Sequence, residues 1–177
     1  MLLEHIDIID APADKVFALV RDKLPDLARH LPSVAKIEKI SSEELSPDNQ
    51  KVISHWYANV ELPGLVKKFL SDKLLSWKDT AIWNGKDREV SYELQSFVVN
   101  DLFEAKGRNF FVDGGNQTTQ LKVTCEINIY PEKIPGIPKL LMKKVKPLIE
   151  KVIEKMLQPN LTSLGKGLKS YLDENKI

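Results

Sequence analysis

A chain of 177 residues with a formal net charge of +1 and a pI near 7.8 fits one domain, spanning residues 1–177, that buries most of its apolar surface. Balanced charge argues against a protein that works by neutralising a nucleic-acid backbone, and a lone cysteine, Cys125, excludes an internal disulfide and a multi-thiolate metal site. No run reaches the ~18 apolar residues of a membrane span, and the acidic start with Glu4, Asp7 and Asp10 lacks the features of a secretory signal; the expected compartment is the cytoplasm.

Taken in order, Leu2 to Ile9 is β-rich and stops at Asp10-Ala-Pro, where Asp10 is expected to cap a helix carrying Pro12 in its first turn. Val16, Phe17 and Val20 make that helix amphipathic, and a second short helical turn follows from Pro25 to Pro32. Hairpins come next. Ser46-Pro-Asp-Asn, Asn84-Gly85 and Asp113-Gly-Gly-Asn separate β-rich stretches, and Asn-Gly and Asp-Gly supply the positive φ angles of tight antiparallel turns. From Thr119 to Ile129 apolar and polar residues alternate, which predicts a strand with one buried and one solvated face. Glu61 to Asp72 has Leu65, Val66, Phe69 and Leu70 at helical spacing, so a short helix is expected between two strands.

Pro131 to Pro138, with three prolines and a glycine, is a stiff connector that cannot join a central strand. Beyond it Leu141, Val145, Leu148, Val152 and Met156 recur at helical spacing, and the stripe resumes at Leu161, Leu164, Leu168 and Tyr171. Each interior proline costs a helix about 3 kcal/mol, so a boundary is expected at Pro147 and a kink near Pro159. This helix is the basic end of the chain: residues 139–155 carry a net +4, whereas residues 1–48 carry a net −4. Strands segregated from helices predict an α+β layer structure of six to seven antiparallel strands gripping one long helix.

This order resembles the helix-grip fold of the START and pollen-allergen (SRPBCC) superfamily, which includes polyketide cyclases and coenzyme Q-binding proteins. The stretches that carry the resemblance are IDAPADKVFALV, ARHLPSVAKIEKI, EAKGRNFFVDGGNQTTQLKVTCEINIY and the terminal NLTSLGKGLKSYL. They span essentially the whole chain, and they specify fold better than activity. What the resemblance implies is a cavity between the concave sheet and the long helix that holds a lipid, sterol, quinone or polyketide-like molecule. No family motif for catalysis is matched here.

Candidate wall residues follow from the alternation: Trp56, Trp77, Trp83, Tyr92, Phe111, Val123 and Cys125 from the sheet, and Val145, Ile149, Val152 and Met156 from the helix. Arg108, if turned inward, could pair with a carboxylate or phosphate on a ligand. No hydrolase elbow, phosphate loop, zinc-protease motif or dinucleotide fingerprint is present, and His5, His30 and His55 stand on different elements. The expected protein is therefore a carrier or sensor without cofactor, metal or nucleic-acid partner, of open oligomeric state. The rival is a cyclase or dehydratase acting in the same cavity. Lys67 and Lys68 among the apolar residues of Leu65 to Leu70, together with the basic helix face, suggest transient contact with an anionic membrane.

Overall fold

The computed structural model describes residues 1–68, 75–97, 102–134 and 136–175. Strand β1 (Leu2–Ile9) leads into helix α1 (Ala13–Leu27) and a 3-10 turn at residues 28–30; strands β2 (Val34–Ser46) and β3 (Asn49–Ala58) follow. A short helix α2 (Gly64–Lys67) precedes strands β4 (Ser76–Asn84), β5 (Glu89–Ser96), β6 (Phe103–Gly115) and β7 (Thr118–Ile129). Helices α3 (Lys139–Thr162) and α4 (Leu164–Asn175) complete the chain. The seven strands form one antiparallel sheet in the order β1-β7-β6-β5-β4-β3-β2. The first strand thus pairs with the last, and α1 carries the chain across to the far edge.

Alternation in the sequence becomes a sided sheet. Along β7, Thr119, Leu121, Val123, Cys125 and Ile127 are buried and the residues between them face out. The helices lie over this inner face: α3 and α4 pack against β1, α3 against β7, and α1 against β6 and β7. Phe17 anchors α1 there, edge-on to Trp83 at 5.5 Å and to Phe111 at 5.4 Å. Gly165 brings the first turn of α4 onto Asp7 of β1, which also faces His5 at 3.1 Å.

Three local expectations change. Asp10 does not cap α1; Pro12 occupies that position and its carbonyl accepts the Val16 N–H at 3.0 Å. Asn84-Gly85 does not make a two-residue turn with positive φ; the Asn84 side chain accepts the Asp87 N–H at 3.1 Å, and the left-handed residue of this longer loop is Arg88, at φ 51°. The short helix expected between two strands is present as α2, over residues 64–67, while Phe69, Leu70 and Asp72 lie outside the described residues.

The third change concerns the terminal helix. No boundary falls at Pro147, which sits inside α3 on its exposed side together with Lys143, so the carbonyl that loses its N–H partner meets water. The break comes instead at Ser163, with φ −108° and ψ 2°, four residues after Pro159, whose carbonyl accepts the Ser163 N–H at 2.9 Å. Replacing Pro147 with Ala should therefore stabilise the protein by roughly 1 to 2 kcal/mol, below the full interior cost because that carbonyl is hydrated. Urea unfolding checks this, and an unchanged or lowered midpoint would contradict it.

Candidate functional site

The pairing register determines what meets on the inner face. Ser54, Asp79 and Leu94 stand side by side across β3, β4 and β5. In another row Val52, Ala81, Tyr92, Gly107 and Cys125 run from β3 to β7, and in a third Trp83, Val90, Asn109 and Val123 run from β4 to β7. Trp56 lies opposite Trp77, and their indoles stack at 5.6 Å with an interplanar angle of 20°.

Between this face and the helices lies a cavity of about 80 Å³. The sheet contributes Trp56, Trp77, Asp79, Ala81, Trp83, Val90, Tyr92, Leu94, Asn109 and Val123 to its wall; Val20, Leu24 and Leu31 come from the first helical region; Leu157, Asn160, Leu161 and Leu164 come from α3 and α4. This is room for roughly two or three waters, and about half the space of an apolar cavity that takes up benzene. A drug-sized guest needs about 300 Å³ or more, so a larger ligand requires the helices to give way. They are divided at suitable places. Lys23, with φ −116° and ψ 17°, breaks α1 between the wall residues Val20 and Leu24, and Ser163 separates Leu161 from Leu164.

Tyr92 forms part of the cavity wall. Its ring lies over Gly107, where a Cβ atom would collide with the phenol and with the Thr124 carbonyl. The hydroxyl donates to that carbonyl at 3.2 Å. Burial, with Cys125 and Asp79 nearby, pushes the phenol pKa up and keeps Tyr92 neutral.

Asp79 is the chemically distinctive group. It is 8% exposed on a wall whose described residues include no lysine, arginine or histidine. Burial pushes its carboxyl from an ordinary value of 3.8 up to about 7, and the indole N–H of Trp56 pulls it part of the way back. That approach falls short of a formed hydrogen bond: Trp56 Nε1 and Asp79 Oδ1 are both without a partner among the described residues, as are Asn109 Oδ1 and Asn160 Oδ1. Buried polar atoms are normally satisfied. Here four unpartnered ones belong to residues of a single cavity wall.

Of the residues expected from sequence, Trp56, Trp77, Trp83, Tyr92 and Val123 line this cavity. Phe111, Cys125, Val145, Ile149, Val152 and Met156 are buried in the surrounding core and are not part of its wall. Arg108 is a correction: it points to the outer face, exposed, in a broad groove with Lys51, Glu93 and Lys106, because it alternates with the inward Gly107 and Asn109. Burial pushes the Cys125 thiol up to about 11, which leaves it protonated and unreactive. Asp79, Asn109 and Asn160 are not among the residues expected from sequence, although each occurs in phase with an apolar stripe. Among the described residues, no three His, Cys, Asp or Glu side chains gather to hold a metal, and no helix is long and apolar enough to cross a membrane.

No family model matches the chain and no curated relative matches it. Solved structures do. The Zhui aromatase/cyclase from Streptomyces sp. R1128 aligns with a TM-score of 0.64 at 16% identity over 100% of this chain and 96% of its own. A protein from Thermus thermophilus aligns at 0.60 with 20% identity over 97% and 99%. A START superfamily protein from Mycobacterium smegmatis aligns at 0.55 with 15% identity over 98% of each chain. At these identities the likeness is one of fold: the chain has the helix-grip architecture over its length.

Proposed function

We propose that this chain, built on the helix-grip fold it has in common with a START superfamily protein and an aromatase/cyclase, binds one hydrophobic small molecule between its sheet and its terminal helices. Lipid, sterol, quinone and polyketide-like molecules are the candidate classes. The observation that supports this best is the aromatic cavity whose wall also carries Asp79, Asn109, Asn160 and Trp56 with unpartnered polar atoms. An apolar lining with a few convergent polar groups is what orients a ligand. The helix breaks at Lys23 and Ser163 give this cavity a way to enlarge. In this reading the ligand separates α1 from the junction of α3 and α4.

Transient contact with an anionic membrane is a subsidiary part of the reading. Leu140 is 92% exposed near Lys139, Lys143 and Lys144 at the start of α3, whereas Val66 in α2 is fully buried. Apolar residues among lysines suit such a surface only when they face outward, so α3 is the element favoured to make it.

The test is uptake of an environment-sensitive apolar fluorophore, combined with native mass spectrometry of the purified protein. One equivalent of probe, or one co-purified small molecule, is expected per chain. Finding neither would defeat the proposal. A cyclase or dehydratase reading is favoured by Asp79, because a buried carboxyl with a pKa of about 7 can give or take a proton near neutrality. Chemical analysis of a bound polyketide-like probe separates the two: a carrier returns it unchanged, and an enzyme returns a dehydrated or cyclised product.

A further inference from the structure

We propose that the head group selected by this cavity is a primary ammonium, carried on an apolar and preferably aromatic body. This rests on the pocket reading above and specifies the chemistry of the guest. Three of the four unpartnered atoms on the wall are acceptors, Asp79 Oδ1, Asn109 Oδ1 and Asn160 Oδ1, against one donor, Trp56 Nε1. Each of the three acceptor residues is only 8% exposed. The orientation of Asn160 is anchored, because its Nδ2 donates to the Met156 carbonyl at 2.7 Å and leaves the amide oxygen free.

A guest that satisfies this wall has to donate. A carboxylate or ketone brings no proton and adds another acceptor. A hydroxyl brings one proton, and a primary ammonium brings three. Burying a cation also requires a counter-charge, and Asp79 is an acid with no basic residue beside it among the described residues of the wall. The stacked indoles of Trp56 and Trp77, with Trp83, add the negative ring faces that attract cations. Charge, donor count and wall chemistry therefore agree on one class of head group.

The groups around Asp79 are Ser54 and Trp56 from β3, Leu94 and Tyr92 from β5, Asn109 from β6 and Asn160 from α3. Among these only Tyr92 titrates, and burial keeps it neutral. The amine preference should accordingly follow the ionisation of Asp79.

Three probes of one shape provide the test: 2-naphthylmethylamine, 2-naphthalenemethanol and 2-naphthoic acid, titrated into the full chain at pH 8 with tryptophan fluorescence as readout. The amine should bind about tenfold tighter than the alcohol, and the acid weakest. The ratio of amine to alcohol affinity should fall towards one in Asp79→Asn. In the wild type it should shrink between pH 8 and pH 5, an arm that needs no variant to fold. An alcohol that binds as tightly as the amine, or a ratio that neither the substitution nor the pH alters, overturns the amine proposal and leaves the pocket standing. Failure of all three probes to bind overturns both.

Discussion

At pH 8 the Asp79→Asn variant should unfold at a higher urea concentration than the wild type, and the difference should vanish as the pH is lowered to about 4. The reason is that Asp79 releases its proton at about 7 in the fold, against an ordinary value of 3.8, because burial penalises the carboxylate. The folded chain holds the proton more tightly than the unfolded chain does. Stability from this group is therefore complete below about pH 4, declines as the pH rises, and is lost once the pH has passed through about 7. A displacement of this size corresponds to about 4 kcal/mol, a large fraction of the roughly 5 to 15 kcal/mol that holds a domain together. Asn has the same shape without the titration, and its amide adds a donor to a wall rich in acceptors. The informative quantity is the difference between the two proteins at each pH, because every other titrating group is common to both. Parallel pH profiles would show that Asp79 is not desolvated as the fold implies.

That a stabilising substitution should exist at a buried acid is itself informative. An acid without a basic partner is held against the preference of the fold, which is expected where stability is exchanged for recognition. The same residue shows how the sequence could have been read further. Trp77, Asp79, Ala81 and Trp83 occupy one face of β4, so a strict alternation already puts a carboxylate among tryptophans. Large apolar residues alone do not mark it, nor do they mark Asn109 and Asn160. Arg108 invited the opposite error. Its charge suggested a ligand contact, yet the phase fixed by Ala105, Asn109 and Phe111 sends it outward. Period, rather than residue type, decides which side of a sheet a side chain serves.

The architecture was legible because each of its signals is local and repeated: alternation on β7, turn residues between strands, and a long apolar stripe from Leu141 onward. The division of the terminal helix was not. Proline marks a lost hydrogen bond, but whether the helix breaks depends on what replaces it, and that is a tertiary matter. At Pro147 water can do so on the exposed face. Beyond Pro159 the inner side of the helix meets the sheet and Gly165 closes onto Asp7, so the backbone shifts at Ser163 instead. Cavity size was likewise beyond sequence, because it depends on how far Tyr92 and the indoles fold inward.

Gly107→Ala should give the second large effect. In an ordinary strand this change gains about 0.5 to 1 kcal/mol, since glycine loses more conformational freedom on folding. Here the new methyl group would collide with Tyr92 Cζ and Oη and with the backbone oxygen of Thr124. The tyrosine ring could swing away only by giving up its place over Gly107, and the cavity it lines has about 80 Å³. The Thr124 carbonyl cannot move without distorting the pairing of β6 with β7, in which Arg108 stands opposite Thr124. Overpacking of this kind usually costs about 1 to 3 kcal/mol, and a backbone obstacle places this case at the upper end, about 3 kcal/mol net. The variant should melt at a lower temperature and take up less apolar probe, because the displaced ring occupies the site. Adding Tyr92→Ala should not restore stability, since the carbonyl contact persists and removing the buried ring leaves a void. Wild-type stability in Gly107→Ala would mean that the phenol does not lie across the glycine.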